Sequence, residues 1–412
     1  MGSYNLGMVL ANSSATFNSK IKFDSGDPTM THGRCGSKNH KGLHRLITPS
    51  FSITELRSDA IHEVYLTVTP FPEESPGNFA TRVARLLRAY DLEPVHQFWF
   101  GSAKYYGEVL SILEKELGPG RILLTWCDGT NGTSKLYGAQ VLAIRDVKPS
   151  PVWLRETLAG MTWQRGGLNY CFIGGLCPMC SNAPRVLQAE TLFEELQVVL
   201  AQAGFTWKEL IRTWFFLDDI LSWYGEFNAV RNKVYGGVFT IANYLPASTG
   251  VGCKNPFSAA VSAAALALAG DKRIQIKDVP SPLQGPATAY GSAFSRAVEV
   301  VGPGWKRLLV SGTASIDRSG YTLHPNGIKK QVQATMRIVD ALLHSRGMCA
   351  ENIVRAIAYF PGEKYFHWFY EWAKRNWPSE VSVLLGCADI CRRELLFEIE
   401  LDAMVWTNEE NE

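Results

Sequence analysis

Two stretches of this chain decide the fold when laid side by side. They are Leu187–Leu217, "LQAETLFEELQVVLAQAGFTWKELIRTWFFL", and Lys330–Phe360, "KQVQATMRIVDALLHSRGMCAENIVRAIAYF". Gln188 matches Gln331, Gly204 matches Gly347 and Arg212 matches Arg355, each pair 143 positions apart with no gap. Each stretch reads as an amphipathic helix, a glycine able to end it, a short turn and a β-strand. A Gly-containing strand end precedes each copy, "CFIGGLCPM" or "LLVSGTASI". A second helix follows each, "LSWYGEFNAVRNKVYG" or "KYFHWFYEWAKRN", and then a terminal strand. A weaker third copy lies upstream, in "IHEVYLTVTP", "NFATRVARLLRAYD", "VHQFWFG", "YYGEVLSILEKEL", "RILLTWC" and "YGAQVLAI".

Three such units predict an α+β chain folded as an intramolecular pseudo-trimer, because one unit alone leaves its sheet half covered. The expected units span residues 51–150 (the degenerate copy), 151–275 and 276–412, behind an extension at 1–50. Residues 12–50 carry Ser, Gly, Asn, His and Lys with no apolar period, and read as flexible or loosely docked. His32, Cys35, His40 and His44 could ligate zinc there, but their spacing is not a standard one.

The 412 residues are 46% hydrophobic and 19% charged, with net charge +2. That is ample material for a core, and the missing basic run argues against a nucleic-acid partner. Nine scattered cysteines read as reduced thiols, and the lone "CPMC" at Cys177–Cys180 as structural. The start of the chain does not read as a signal peptide, and "FSAAVSAAALALAG" is too short to span a bilayer. A cytoplasmic monomer with no membrane partner is expected.

The end of the chain raises a second question. In "CRRELLFEIELDAMV", Phe397, Ile399, Leu401 and Ala403 alternate with Glu398, Glu400 and Asp402. This is a strand with three carboxylates on one face. They line either a wet surface or a site, where mutual repulsion keeps one of them protonated.

The segments "LLVSGTASID", "ENIVRAIAYF" and "LLFEIELDA" resemble the Rid (reactive-intermediate deaminase) superfamily, homotrimers with sites in clefts between domains. Its imine-hydrolysing members carry a Pro-Ala-Arg-Ser type motif. Here "LPASTGVG" has Ser248 at that arginine and "WPSEVSVLLG" has none, which argues against imine hydrolysis. Together with "RTWFFLDDILSWYGEFNAVR", "AYGSAFSRAVEV" and "CRRELLFEIE", the chain resembles the chorismatase branch, three fused Rid-type units with the first degenerate. That resemblance implies cleavage of chorismate to pyruvate with no metal or organic cofactor.

Glu398 would be the acid that protonates the enolpyruvyl group. Arg231 and Arg296 would hold the carboxylates of a small dicarboxylate substrate. Tyr224, Tyr290, Thr249 and Gly252 would complete the binding site, though core packing or a tight turn also explains them. Ala314 and Cys391 occupy the positions that separate hydrolysis from the 3-hydroxybenzoate route, and resemble the latter type. Plain core packing accounts for them too. Aligning "VGC" at Cys253 with "LGC" at Cys387 sets Ala264 opposite Glu398 and predicts one working cleft. Arg212 and Arg355, at one repeat position, read as structural. The rivals are a Rid-type hydrolase of an imine or another small carboxylate, a chorismatase giving a dihydroxycyclohexadienoate, and a non-catalytic small-ligand binder.

Overall fold

A computed structural model describes residues 42–407 except 130, 131, 134, 240–243 and 271. His32, Cys35 and His40 lie outside the described residues.

The first unit comprises β1 (Leu43–Ile47), β2 (Phe51–Arg57), β3 (His62–Val68), α1 (Pro76–Ala89), β4 (Glu93–Gly101), α2 (Tyr106–Leu117), β5 (Leu124–Cys127) and β6 (Leu136–Ile144). The second comprises β7 (Ser150–Leu154), β8 (Thr157–Arg165), β9 (Leu168–Leu176), α3 (Arg185–Gln202), β10 (Leu210–Leu217), α4 (Ile220–Val238), β11 (Ala247–Gly252) and β12 (Val261–Ala269). The third comprises β13 (Gln275–Val279), β14 (Ala297–Gly302), β15 (Trp305–Ala314), α5 (Ile328–His344), β16 (Ile353–Phe360), α6 (Phe366–Asn376), β17 (Leu384–Cys387) and β18 (Glu398–Trp406).

All three sheets have six strands in one order, β1-β2-β3-β6-β4-β5 and its two counterparts. Only the last pair of each, such as β10 and β11, runs parallel. The upstream unit is therefore degenerate in sequence but complete in topology. Its first strand starts at Leu43, inside the segment read as an extension, which corrects that boundary; His44 sits in this strand.

Local sequence explains the helices. α3 buries Ala189, Leu192, Phe193, Leu196, Val199 and Leu200, a three-and-four spacing that lays one stripe on its sheet. Gly204 (φ +80°) and Gly347 (φ +69°) take the left-handed turn after α3 and α5, where a side chain would be strained. Gln188 and Gln331 make one clasp twice. Gln188 donates to Ser181 and Ala183 and accepts from Ala260 N–H; Gln331 donates to His324 and Glu394 and accepts from Leu396 N–H. Each clasp ties a helix start to the entry of its unit's last strand.

Every sheet puts one face under its own two helices and the other against the remaining sheets, so a core built from all three units fills the centre. The carboxylate row of β18 points into that centre. Glu398, Glu400 and Asp402 are 5%, 0% and 2% exposed, so the wet-surface reading fails. Near the centre, three arginines meet three carboxylates. Glu400 pairs with Arg212 (2.8 Å) and Arg355 (2.6 Å), and Asp402 with Arg212 (2.7 Å) and Arg307 (3.0 Å). Arg307 also reaches Glu63 at 3.0 Å. Balanced, hydrogen-bonded charge is what permits such burial.

Candidate active site

Strand register shows which positions are equivalent. Arg212 faces Leu266, Arg355 faces Asp402 and His96 faces Leu142. Four residues along, Phe216 faces Ser262, Tyr359 faces Glu398 and Phe100 faces Gly138. Ser262 and Gly138 thus stand where the third unit has Glu398. This corrects the expected match of Ala264 with Glu398, since Ala264 corresponds to Glu400. The loops after Cys253 and Cys387 differ by two residues, so a gap-free alignment slips by two and stays on the same face. The carboxylate at this position is still confined to one unit.

Glu398 opens into a cavity of about 260 Å³ between the second and third units. From the second unit, α4 contributes Tyr224, Asn228 and Arg231, and β11 contributes Ser248 and Gly250. From the third come Tyr290, Phe294 and Arg296 ahead of β14, Gly312 and Ala314 in β15, and Cys391 and Arg392 in the loop before β18. Of the residues named from sequence, Glu398, Arg231, Arg296, Tyr224, Tyr290, Ala314 and Cys391 meet here.

Thr249 and Gly252 do not line the cavity. The Thr249 hydroxyl turns inward to Glu400 at 2.5 Å. Gly252 exchanges both backbone hydrogen bonds with Asp389, and a Cβ there would lie 2.8 Å from the Asp389 Cβ. It anchors the loop that carries Cys391. Ser248, at the place of the missing arginine, lines the cavity and accepts a hydrogen bond from Thr213 at 3.0 Å.

The electrostatics divide the carboxylates. Burial raises the Glu398 carboxyl to about 8, helped by the negative Glu400 and opposed by Arg296. Burial would raise Glu400 as well, but Arg212, Arg355 and the Thr249 hydroxyl outweigh it and hold Glu400 below its usual value. Asp402 is held low in the same way, by Arg212, Arg355 and Arg307. Burial also pushes the Cys391 thiol up to about 12, with Glu398 adding to the effect, so it is no nucleophile near neutral pH. Burial raises Tyr224 and Tyr290, which keep their phenolic protons.

The cations are arranged differently. Arg231 donates to Asn228 at 2.6 Å, and its Nε has no partner. Arg296 donates through Nε to the Gly285 carbonyl at 2.9 Å, and one of its terminal nitrogens has no partner. Neither makes an ion pair among the described residues. The Phe294 ring lies between them, its centroid 5.4 Å from the Arg231 guanidinium and 5.6 Å from that of Arg296. Two buried guanidiniums outside any such ion pair, facing one small cavity, are chemically suited to pair with an anion that has two acidic groups.

Among solved structures, a chorismatase known at 1.08 Å resolution superposes with a TM-score of 0.56 at 18% identity, covering 76% of this chain and 93% of that one. This chain has the chorismatase fold. A Rid-family protein from Yersinia pestis (TM-score 0.26, 20% identity) covers 32% of this chain and 100% of its own. RidA from an Antarctic Psychrobacter (0.25, 18%) covers 30% of this chain and 94% of its own. No protein-family model and no curated protein matches the sequence.

Within this chorismatase fold the other two acid positions are filled differently. Ser262 lies beside Cys177, the register counterpart of Ala314. At Gly138 even a Cβ would sit 2.8 Å from Leu384. Sequence reading missed Phe294, Asn228 and Arg392. All three lie inside stretches singled out above, but nothing in their spacing separates a cavity-lining residue from a packed one. Among the described residues, no group of three His, Cys, Asp or Glu could hold a metal, and no helix is long and apolar enough to cross a membrane.

Proposed function

We propose that the chain is a chorismatase, cleaving chorismate in the single acid-bearing cleft between its second and third units. One observation carries this reading: a buried carboxyl that stays protonated to about pH 8 shares a cavity with two unpaired arginines. Arg231 and Arg296 take the two substrate carboxylates in bidentate pairs, and Tyr224 and Tyr290 donate to the remaining oxygens. Glu398 delivers its proton to the terminal methylene of the enol ether. The positive charge that develops on the ether carbon is the kind a fixed, preorganised carboxylate stabilises. Two routes lead on from there. In one, water adds to that carbon, the resulting hemiketal loses its bond to the ring oxygen, and pyruvate leaves with the diol. In the other, the neighbouring ring hydroxyl attacks the ring carbon that bears the ether oxygen, gives its proton back to the Glu398 carboxylate and breaks that carbon–oxygen bond. Pyruvate then leaves and the arene-oxide-like ring opens to 3-hydroxybenzoate. The acid and the clamp are both side chains, so no metal or organic cofactor is called for.

Ala314 pairs directly with Glu398 across β15 and β18, and the Cys391 thiol lies on the opposite loop. Their small apolar groups leave little room for an attacking water beside the acid. We assign the 3-hydroxybenzoate route on that basis, in a cytoplasmic monomer. The test is purified protein with chorismate, pyruvate measured by a coupled reductase and the organic product separated by chromatography. Pyruvate with 3-hydroxybenzoate supports the full reading. Pyruvate with a non-aromatic diol keeps the reaction and overturns the assigned route. No pyruvate overturns both.

A further inference from the structure

Thr249 sits beneath the acid and contacts both of its neighbours. Its hydroxyl donates to Glu400 at 2.5 Å and accepts the Gly312 N–H at 3.1 Å. Gly312 is the floor under Glu398: a Cβ there would stand 2.1 Å from Glu398 Oε1 and 3.2 Å from the Thr249 methyl. Thr249 belongs to the second unit, while Gly312, Glu398 and Glu400 belong to the third.

The repeat supplies an internal control. Thr249 faces Trp214, two residues after Arg212; Thr125 faces Phe98, two residues after His96. The threonines are therefore equivalent, and Thr125 accepts the N–H of Gly175, the counterpart of Gly312, at 2.8 Å. The threonine-to-glycine clasp is thus a joint between units, present also where the acid position holds Ser262. The other partner differs. Thr125 meets His96 at 2.7 Å, whereas Thr249 meets the ionised Glu400. The third counterpart is Leu384, which has no hydroxyl.

We propose that Thr249 is a positioning residue, fixing the Gly312 floor and the charged Glu400 in one arrangement around the Glu398 carboxyl. This rests on Glu398 being the acid of the proposed reaction. The charged and titratable groups facing Glu398 are Glu400 on its own strand, Arg296 ahead of β14, Tyr224 and Arg231 on α4, Tyr290, and Cys391 with Arg392 on the loop. Those facing Glu400 are Arg212, Arg355, Tyr359 and, from the first unit, Cys127. The Thr249 hydroxyl dipole offsets part of the Glu400 charge. Removing it leaves more of that charge to act on Glu398, so Glu398 holds its proton to higher pH.

The test titrates the Glu398 carboxyl by its infrared C=O band, as each chain minus its own Glu398→Gln version, and follows pyruvate release in parallel. Thr249→Val is expected to move the midpoint to higher pH. Its kcat is expected to fall about 10- to 100-fold, as misplaced catalytic groups do, with KM within about twofold of wild type. Thr249→Ser is expected to restore both, and Thr125→Val to match wild type. Should the valine chain not fold, Thr249→Cys, which keeps the volume and weakens the donor, is expected to give a smaller shift in the same direction. An unmoved midpoint in Thr249→Val, or in Thr249→Cys where that variant replaces it, or an equal shift in Thr125→Val, overturns the proposal. If wild type releases no pyruvate, the chorismatase reading fails, while the infrared titration still decides the role of Thr249.

Discussion

No arginine among the described residues is paired with Glu398, although two carboxylates farther along the same strand face hold five ion-pair contacts between them. Under the proposed reaction, that difference separates the proton donor from the structural anions. It gives a stability signature of definite sign. The folded state favours the neutral Glu398, so its contribution is full below the ordinary value of 4.5 and is lost as pH rises toward about 8. Glu398→Gln is therefore expected to match wild-type stability below about pH 4.5. Above that it gains by up to about 1.4 kcal/mol per pH unit, levelling off past pH 8. Chemical denaturation of both chains across this range is the check; a gap that opens toward acid would contradict it. Glu400 and Asp402 act with the opposite sign, stabilising above the ordinary carboxylate range and failing as pH falls through their lowered values. Arg231→Lys and Arg296→Lys keep the charge and lose the fork. Each is expected to raise KM for chorismate about 10-fold or more while the chain still folds, which steady-state kinetics would read.

At the scale of elements, the legible part of the sequence was the part with a period. Helices α3 and α5, their glycine ends and the following strands were readable because the three-and-four spacing and the repeated Gln, Gly and Arg appear twice in register. Strand β18 was readable from its alternation, but not which face was buried, because three acids in a row look the same whether they meet water or arginine. Its partner arginines lie 45 to 190 positions away in sequence, beyond any local pattern. β1 was missed because its exposed edge carries no apolar alternation. The clasp of Gln331 tests this scale. Gln331→Leu removes two donated bonds and strands the buried Leu396 N–H, so a loss of about 2–4 kcal/mol is expected in denaturant titrations. Gln188→Leu is expected to cost a similar amount, since it makes the same three bonds.

For the whole molecule, the three units are joined by charge as well as by apolar packing. Arg212 comes from the second unit, Glu63 from the first, and Arg307, Arg355, Glu400 and Asp402 from the third. The sequence hinted at this only through Arg212 and Arg355, because His96 occupies the equivalent place in the first unit and broke the pattern. Asp402→Ala leaves Arg212 and Arg307 short of a partner in a dry core. It is expected to cost about 3–5 kcal/mol and to lower the single unfolding transition of the whole chain rather than release one unit. Calorimetry showing one unit melting separately would contradict a shared core.

The measurement that bears most directly on the account is the pH dependence of pyruvate release from chorismate, for wild type and Glu398→Gln side by side. The account predicts a wild-type rate that declines as pH rises through about 8, and a variant slower by about 10²–10⁴ below that pH, with the gap narrowing above it. A variant that keeps the wild-type rate, or a wild type that releases no pyruvate, would contradict it.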